Sequence, residues 1–355
     1  MEYPIGIEMR DEYKSFELAK GAMTLVKDIM LVKSGENVVV NVDTAADMRI
    51  ANAIVNAAFA VGAMPVLIQH PLQKEAFTQP PAPVAGAVAQ ADVWIELAYN
   101  TIMHSPAFRD AMAFGTRYTC LTGMDVEMLV NTIANVDCET VIAFGEYIVN
   151  VLEQADEIIV KSKKGTDLRA RKKDRYVKHS GQKATKKGFP VMLCGQVTVC
   201  PLEDTIEGTL VFDGALFPPK ELGKLNEDVI LQFENGRITE VSGGQSAQIF
   251  KNWLDSFNDP NMYRLAHYSL GFNPGVIKPT GRIVEDERVF GCIEFGIGSQ
   301  GKSLGGAFWN AASHTDGIVL NPTIILDGKV FEDNGVYLDA QAREFCRKLG
   351  VQGYF

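Results

Sequence analysis

The stretch Glu36 to Ile68, ENVVVNVDTAADMRIANAIVNAAFAVGAMPVLI, changes its periodicity twice. Residues 36–43 form a short β-branched run, and MRIANAIVNAAFAVGA (48–63) spaces its apolar side chains as a helix does. Met64 to Ile68 is then a second short apolar run. Asp43 and Thr44 stand where the helix is expected to take its N-cap. Strand, helix and strand in succession predict a layered α/β arrangement.

The alternation continues on both sides. YKSFELAKGAMTLVKDIM (13–30) has helical spacing. After QPPAPVAG (79–86), ADVWIELA (91–98) reads as a third strand, FRDAMAF (108–114) as a helix and TRYTCLTG (116–123) as a fourth strand. CETVIAFGEYIVNVLEQAD (138–156) is the long helix expected to close the domain, and DEIIVKSKKGTDLRAR (156–171) leads out of it. The strands are almost continuously apolar, as a sheet covered by helices on both faces requires.

From about Phe189 the texture becomes short β-like runs between Gly, Asp and Pro: GQVTVC, EGTLVFDG, DVILQFENGRITEVSGG, GCIEFGIG and GIVLNPTIILDG. Asn235-Gly236 and Asp327-Gly328 mark tight turns, and one helix, AQIFKNWLDSF, interrupts the strands. The fold class expected is an α/β N-terminal layered domain with a mostly parallel sheet, over residues 1–160, followed by an α+β C-terminal domain with a largely antiparallel sheet, over residues 161–355.

A chain of 355 residues exceeds what one hydrophobic core usually serves, which agrees with two domains. The net charge of −10 argues against general affinity for nucleic acid or anionic membranes and favours a small-molecule partner. Six cysteines lie scattered without a CxxC pair, as reduced cytoplasmic thiols would. MEYPIGIEMRDEYKSFELAK intersperses charges where a secretory signal needs an apolar run, and AIVNAAFAVGAMPVLI is interrupted by Asn56, Gly62 and Pro65. Neither export nor membrane spanning is expected. Residues 161–187 hold twelve Lys or Arg and only two acids, a charge run whose ordinary reading is a solvated loop.

Five histidines are present. His70, at a strand end before Pro71, reads as a solvated loop residue, and His179 in the basic segment reads as exposed. His104, in NTIMHSPAF after the third strand, lies where strand-end loops of α/β layers carry ligands. His314 and Asp316, in SHTDGIVLNP, are two apart, so a strand sends both to one face. With His267 in LAHYSLGFNPG as a third group, two imidazoles and a carboxylate describe an open non-haem iron(II) site.

The segments GTDL (165–168), PLEDTIEGTLVFDG, LGFNPG, DERVFG and SHTD together resemble the leucyl-aminopeptidase-T-type metallopeptidases. They resemble still more a relative of that family, the iron-dependent 2,5-dihydroxypyridine 5,6-dioxygenases. The resemblance spans most of the chain. In the peptidases two ions are held by glutamates, histidines and an aspartate. Here Gln196 replaces the first carboxylate, His267 a glutamate and Glu294 a histidine, while His314 and Asp316 match. An amide cannot supply the anionic charge that a pair of dications needs.

The dioxygenase resemblance implies Fe(2+) held by His267, His314 and Asp316, in an extradiol-type enzyme that opens a hydroxylated N-heteroaromatic ring with O2. It also implies a homo-oligomer and gives His104 as a proton-moving group, to which the reading of this chain's own residues adds Glu294. Glu294, which that family replaces by an apolar residue, is expected to orient a ligating imidazole through its free N–H. Gln196, Phe189, Val191 and Leu193 are the candidate substrate contacts, from position in the sequence. The alternative is a metal-dependent aminopeptidase or other hydrolase, for which Glu294 as general base is the best argument.

Overall fold

The computed structural model describes residues 10–301 and 305–354. By internal packing the chain divides into two compact units, residues 1–138 with 180–194 and residues 139–179 with 195–355. The chain therefore crosses between units three times, where the sequence suggested a single boundary between 160 and 161. The reason lies in two elements. Pro190–Val191 returns to pair with Arg117–Cys120, and the Cys138–Gln154 helix packs its aromatic side chains within the second unit.

Among the described residues the first unit holds one five-stranded sheet, in the order Met64–His70, Asn37–Asp43, Val93–Glu96, Arg117–Cys120, Pro190–Val191. Every pairing in it is parallel. The Met48–Ala60 helix buries Ile50, Ala51, Ile54, Ala57 and Ala58, the single face that a period of 3.6 creates. Its N-cap is Asp47, whose carboxylate accepts from Arg49 N, and not Asp43 or Thr44. Asp43 is fully buried at the strand end and accepts instead from the amides of Ala45 (2.9 Å) and Tyr99 (2.7 Å). A buried carboxylate there serves two strand-end loops at once, and the helix starts a turn later.

Among the described residues the second unit carries antiparallel strands in two sheets. The eight-stranded one includes the hairpins turned at Asn235-Gly236 (φ 50° and 72°) and Asp327-Gly328 (φ 44° and 80°), left-handed at both positions as two-residue hairpins require. The seven-stranded one runs Gly223–Lys224, Ala215–Phe217, Trp309–Leu320, Cys292–Gln300, Leu265–Gly271, Gln196–Val199, Val177–His179. Gly317 lets the sheets approach: a Cβ there would lie 2.4 Å from the Phe212 ring of the Glu207–Phe212 strand. The observed architecture is the expected α/β plus antiparallel α+β class.

The basic segment begins in the Glu157–Lys161 and Asp167–Arg171 hairpin. Lys161, Lys164, Arg169 and Arg171 are half exposed or more and pair with Asp167, Asp228, Glu157 and Asp156. For this hairpin that is the solvated reading, while Lys172 and His179 further along the segment are buried; surface pairs of this kind contribute little to stability. Two histidine expectations are overturned. His70 is 4% exposed, with Nδ1 2.9 Å from the Pro71 carbonyl oxygen. His179 is 8% exposed because its strand lies beneath the Cys138–Gln154 helix, and neither ring nitrogen has a hydrogen-bond partner among the described residues.

Candidate metal centre

His267, Glu294 and Asp316 come from three adjacent strands of the seven-stranded sheet. The register pairs His267 with Gly296 and Gly296 with Asp316, so one row puts an imidazole and a carboxylate on either side of a glycine. Paired residues of neighbouring strands face the same way. Gly296 is what lets the groups meet: a Cβ there would lie 2.3 Å from the His267 ring. A register shift between Leu265 and His267 leaves Ala266 as an extra residue, a bulge of the kind that re-aims the next side chain. His314, two residues before Asp316, pairs with Gly298 and stacks its ring on His267, with centroids 5.2 Å apart and planes at 19°.

The donor atoms of His267, His314 and Asp316 all lie within 4.8 Å of one another. His314 Nδ1 is 2.8 Å from the Ser299 carbonyl oxygen, which can only accept, so that nitrogen carries the proton. Nε2 of a neutral His314 then points a lone pair at Asp316 Oδ1, 2.9 Å away. Two acceptors face to face need a proton or a cation between them. His267 Nε2 lies 3.6 Å from Asp316 Oδ1 and 3.2 Å from Glu294 Oε1. Glu294 Oε1 and His267 Nδ1 are buried with no hydrogen-bond partner among the described residues. An orphaned buried carboxyl oxygen beside two imidazoles and a carboxylate fits a bound divalent ion.

The same groups shift one another's protonation. Burial works to raise the Asp316 carboxyl, but the charge and hydrogen bond of His314, helped by His267, outweigh it and hold the group at about 2. Burial also opposes protonation of His314, yet Asp316 prevails and its pKa is raised. His267 is lowered by burial, against the pull of Asp316. Glu294 is pushed well up, first by burial and then by the Asp316 charge.

Glu294 is not the solvated strand residue that an alternating pattern would suggest, since it is fully buried. Nor does it sit at an outer imidazole nitrogen. For His314 the Ser299 carbonyl fills that role, and Glu294 faces His267 from the side of the cluster. Gln196 is beside it, with Nε2 3.5 Å from Glu294 Oε2. The remaining candidates belong to the other unit. His104 is exposed, with a left-handed backbone (φ 66°) and its ring against Phe77 and Phe108. Val191 and Leu193 are 1% and 4% exposed inside that unit, and Phe189 is half-buried under Lys186.

Four residues were missed. Gly296 could have been found from EFGIG, where a glycine two residues after Glu294 shares its face. Glu287, in the DERVFG segment, is pushed up to about 8 by burial and by the Asp316 charge, which places it within electrostatic reach. Ser269 and Ser299 have no signal in the sequence, because their roles come from register and from a backbone carbonyl.

Fold and cluster together define a two-unit α/β and antiparallel-β protein with a candidate metal centre of two histidines and one carboxylate. A family model described as 2,5-dihydroxypyridine 5,6-dioxygenase matches residues 22–339, and the chain belongs to that family. The curated 2,5-dihydroxypyridine 5,6-dioxygenase of Pseudomonas putida is 30% identical over 184 residues, 50% of this chain. The match spans about half, 51%, of that relative's length. The solved structure of 2,5-dihydroxypyridine dioxygenase from Pseudomonas putida KT2440 superposes with a TM-score of 0.77 at 22% identity, covering 92% of this chain and 99% of that one. AmpT from Thermus thermophilus gives 0.70 at 15% identity over 92% and 100%. Both share the fold.

Proposed function

We propose that the chain is a mononuclear iron(II) dioxygenase that opens the ring of a hydroxylated N-heteroaromatic such as 2,5-dihydroxypyridine. Family membership supports the reaction, and one observation carries the centre. His314 Nε2 and Asp316 Oδ1 oppose each other at 2.9 Å while Nδ1 is committed to a carbonyl. Two imidazoles and a single well-ionised carboxylate suit iron(II) and leave positions open for a substrate. When bound, the ion supplies the redox chemistry that brings a ring substrate and O2 to reaction.

The chain's own residues hold and move protons around that chemistry. Asp316, ionised across the neutral range, supplies fixed negative charge. The Ser299 carbonyl fixes the His314 tautomer and ring orientation. Glu294, buried and protonated by preference, is a proton donor at Oε1 or Oε2 beside His267. His104 is proposed as a second acid/base group, because an exposed imidazole on a strand-end loop can exchange protons with a substrate. Gln196 is proposed as a substrate contact from its place beside Glu294. A cytoplasmic location is part of the proposal, supported by six free, buried cysteines. Among the described residues no helix is long and apolar enough to cross a membrane.

Oxygen uptake by anaerobically purified protein loaded with ferrous iron, against a panel of di- and trihydroxylated pyridines, tests the reading. Uptake with at least one dihydroxypyridine is expected. Zinc in the purified protein, hydrolysis of amino-acid p-nitroanilides and no oxygen consumption would transfer the chain to the hydrolase reading.

A further inference from the structure

A polar row crosses the face that carries the cluster. The register pairs Thr198 with Ser269 and Ser269 with Glu294 on three neighbouring strands. Thr198 Oγ1 and Ser269 Oγ are 3.0 Å apart, and the Ser269 hydroxyl hydrogen-bonds Glu294. Gln196 Nε2 approaches the Glu294 Oε2 oxygen at 3.5 Å, while Oε1 faces His267 Nε2 at 3.2 Å. Ser269 and Glu294 are fully buried, and Thr198 and Gln196 are 8% exposed.

The next register row of the same three strands is Val197, Leu270 and Ile293, on the opposite face and entirely apolar. The sheet thus packs with hydrocarbon on one face and spends hydroxyls on the other. Desolvating two hydroxyls, an amide and a carboxyl opposes folding unless each is bonded, so the row contributes position and not stability. A glutamate side chain left alone beside His267 has several rotamers open to it. Held by Ser269, itself held by Thr198, and with Gln196 beside Oε2, the carboxyl has one direction to point, with Oε1 toward His267.

We infer that Thr198 and Ser269 are positioning residues that aim the Glu294 carboxyl at His267, giving this chain's centre a second carboxyl beside the His267–His314–Asp316 set. The inference rests on the metal-centre reading above. It is independent of which substrate is turned over, since it concerns how the ion is held.

Cobalt(II) titration of the metal-free full-length chain tests it, with affinity measured by competition and the d–d absorption recorded. Ser269→Ala and Thr198→Val are each expected to weaken cobalt(II) binding by about 10- to 100-fold, the range typical of groups that orient ligands. Both should shift the spectrum in the direction that Glu294→Gln does. Ser269→Thr and Thr198→Ser, which keep the hydroxyls, should restore affinity and spectrum. Thr198→Val is nearly isosteric and keeps the question answerable if Ser269→Ala does not fold. Parental affinity and an unshifted spectrum in both hydroxyl-free variants, with binding lost in Asp316→Ala, would overturn the positioning role alone. Parental binding in Asp316→Ala would overturn the metal-centre reading and this inference with it.

Discussion

At the scale of single residues the centre depends on what is absent from one position as much as on what is present at three. Gly296 lies under the His267 ring, and a methyl group there would come within 2.3 Å of it. Gly296→Ala is therefore expected to displace the imidazole, destabilise the fold by about 1–3 kcal/mol and weaken ion binding at least tenfold. Denaturant titration and metal analysis check this, and a variant with parental values for both would refute the placement of the ring. Asp316→Ala should leave less than one iron per ten chains after anaerobic loading. Full occupancy would remove Asp316 from the ligand set. The spacing of His314 and Asp316 was legible because a strand's period of two is a local property. That Glu294 lies beside them follows from no local period, since it needs the register of a third strand.

The instructive element is the Cys138–Gln154 helix, which sequence periodicity identifies as a helix without saying which surface it covers. Its Gly145 packs on the His179 ring, where a Cβ would lie 2.4 Å from Nε2, and its Phe144 contacts Phe272, Tyr337 and Phe345. Burial there lowers the His179 pKa from 6.5 to about 4. The folded state then binds fewer protons than the unfolded state between those values. Stability from this site is fully present above pH 6.5 and declines as pH falls toward 4, by on the order of 3 kcal/mol. Denaturant midpoints at pH 7 and pH 4.5 should differ accordingly, and His179→Leu should flatten the dependence. An unchanged slope in His179→Leu would assign the effect to other groups. A charge-rich neighbourhood made His179 look exposed, but burial follows from what packs over a strand and not from the strand's neighbours in sequence.

For the whole molecule the expectation is linkage between ion and fold. A ligand that binds only the native state at a hundred times its dissociation constant adds about 2.7 kcal/mol. Cobalt(II) at that excess should raise the melting temperature of the parent chain and leave Asp316→Ala unmoved, and a rise in both would place the ion elsewhere. The two-layer organisation was readable because each layer writes its own short-range pattern, apolar runs with helices for Asn37–Asp43 and its neighbours, and turn-punctuated alternation for Val229–Gly243. The division into units was not readable, because Pro190–Val191 joins the parallel sheet from far along the chain by backbone pairing that carries no side-chain signature. By itself the sequence determined the main strands and helices of each layer, the β-hairpin turns and the shared face of His314 and Asp316, all fixed by interactions within a few residues. Only tertiary structure decided that His267 and Glu294 meet that pair and that His70 and His179 are buried. Those facts depend on which distant strands and helices come to lie side by side.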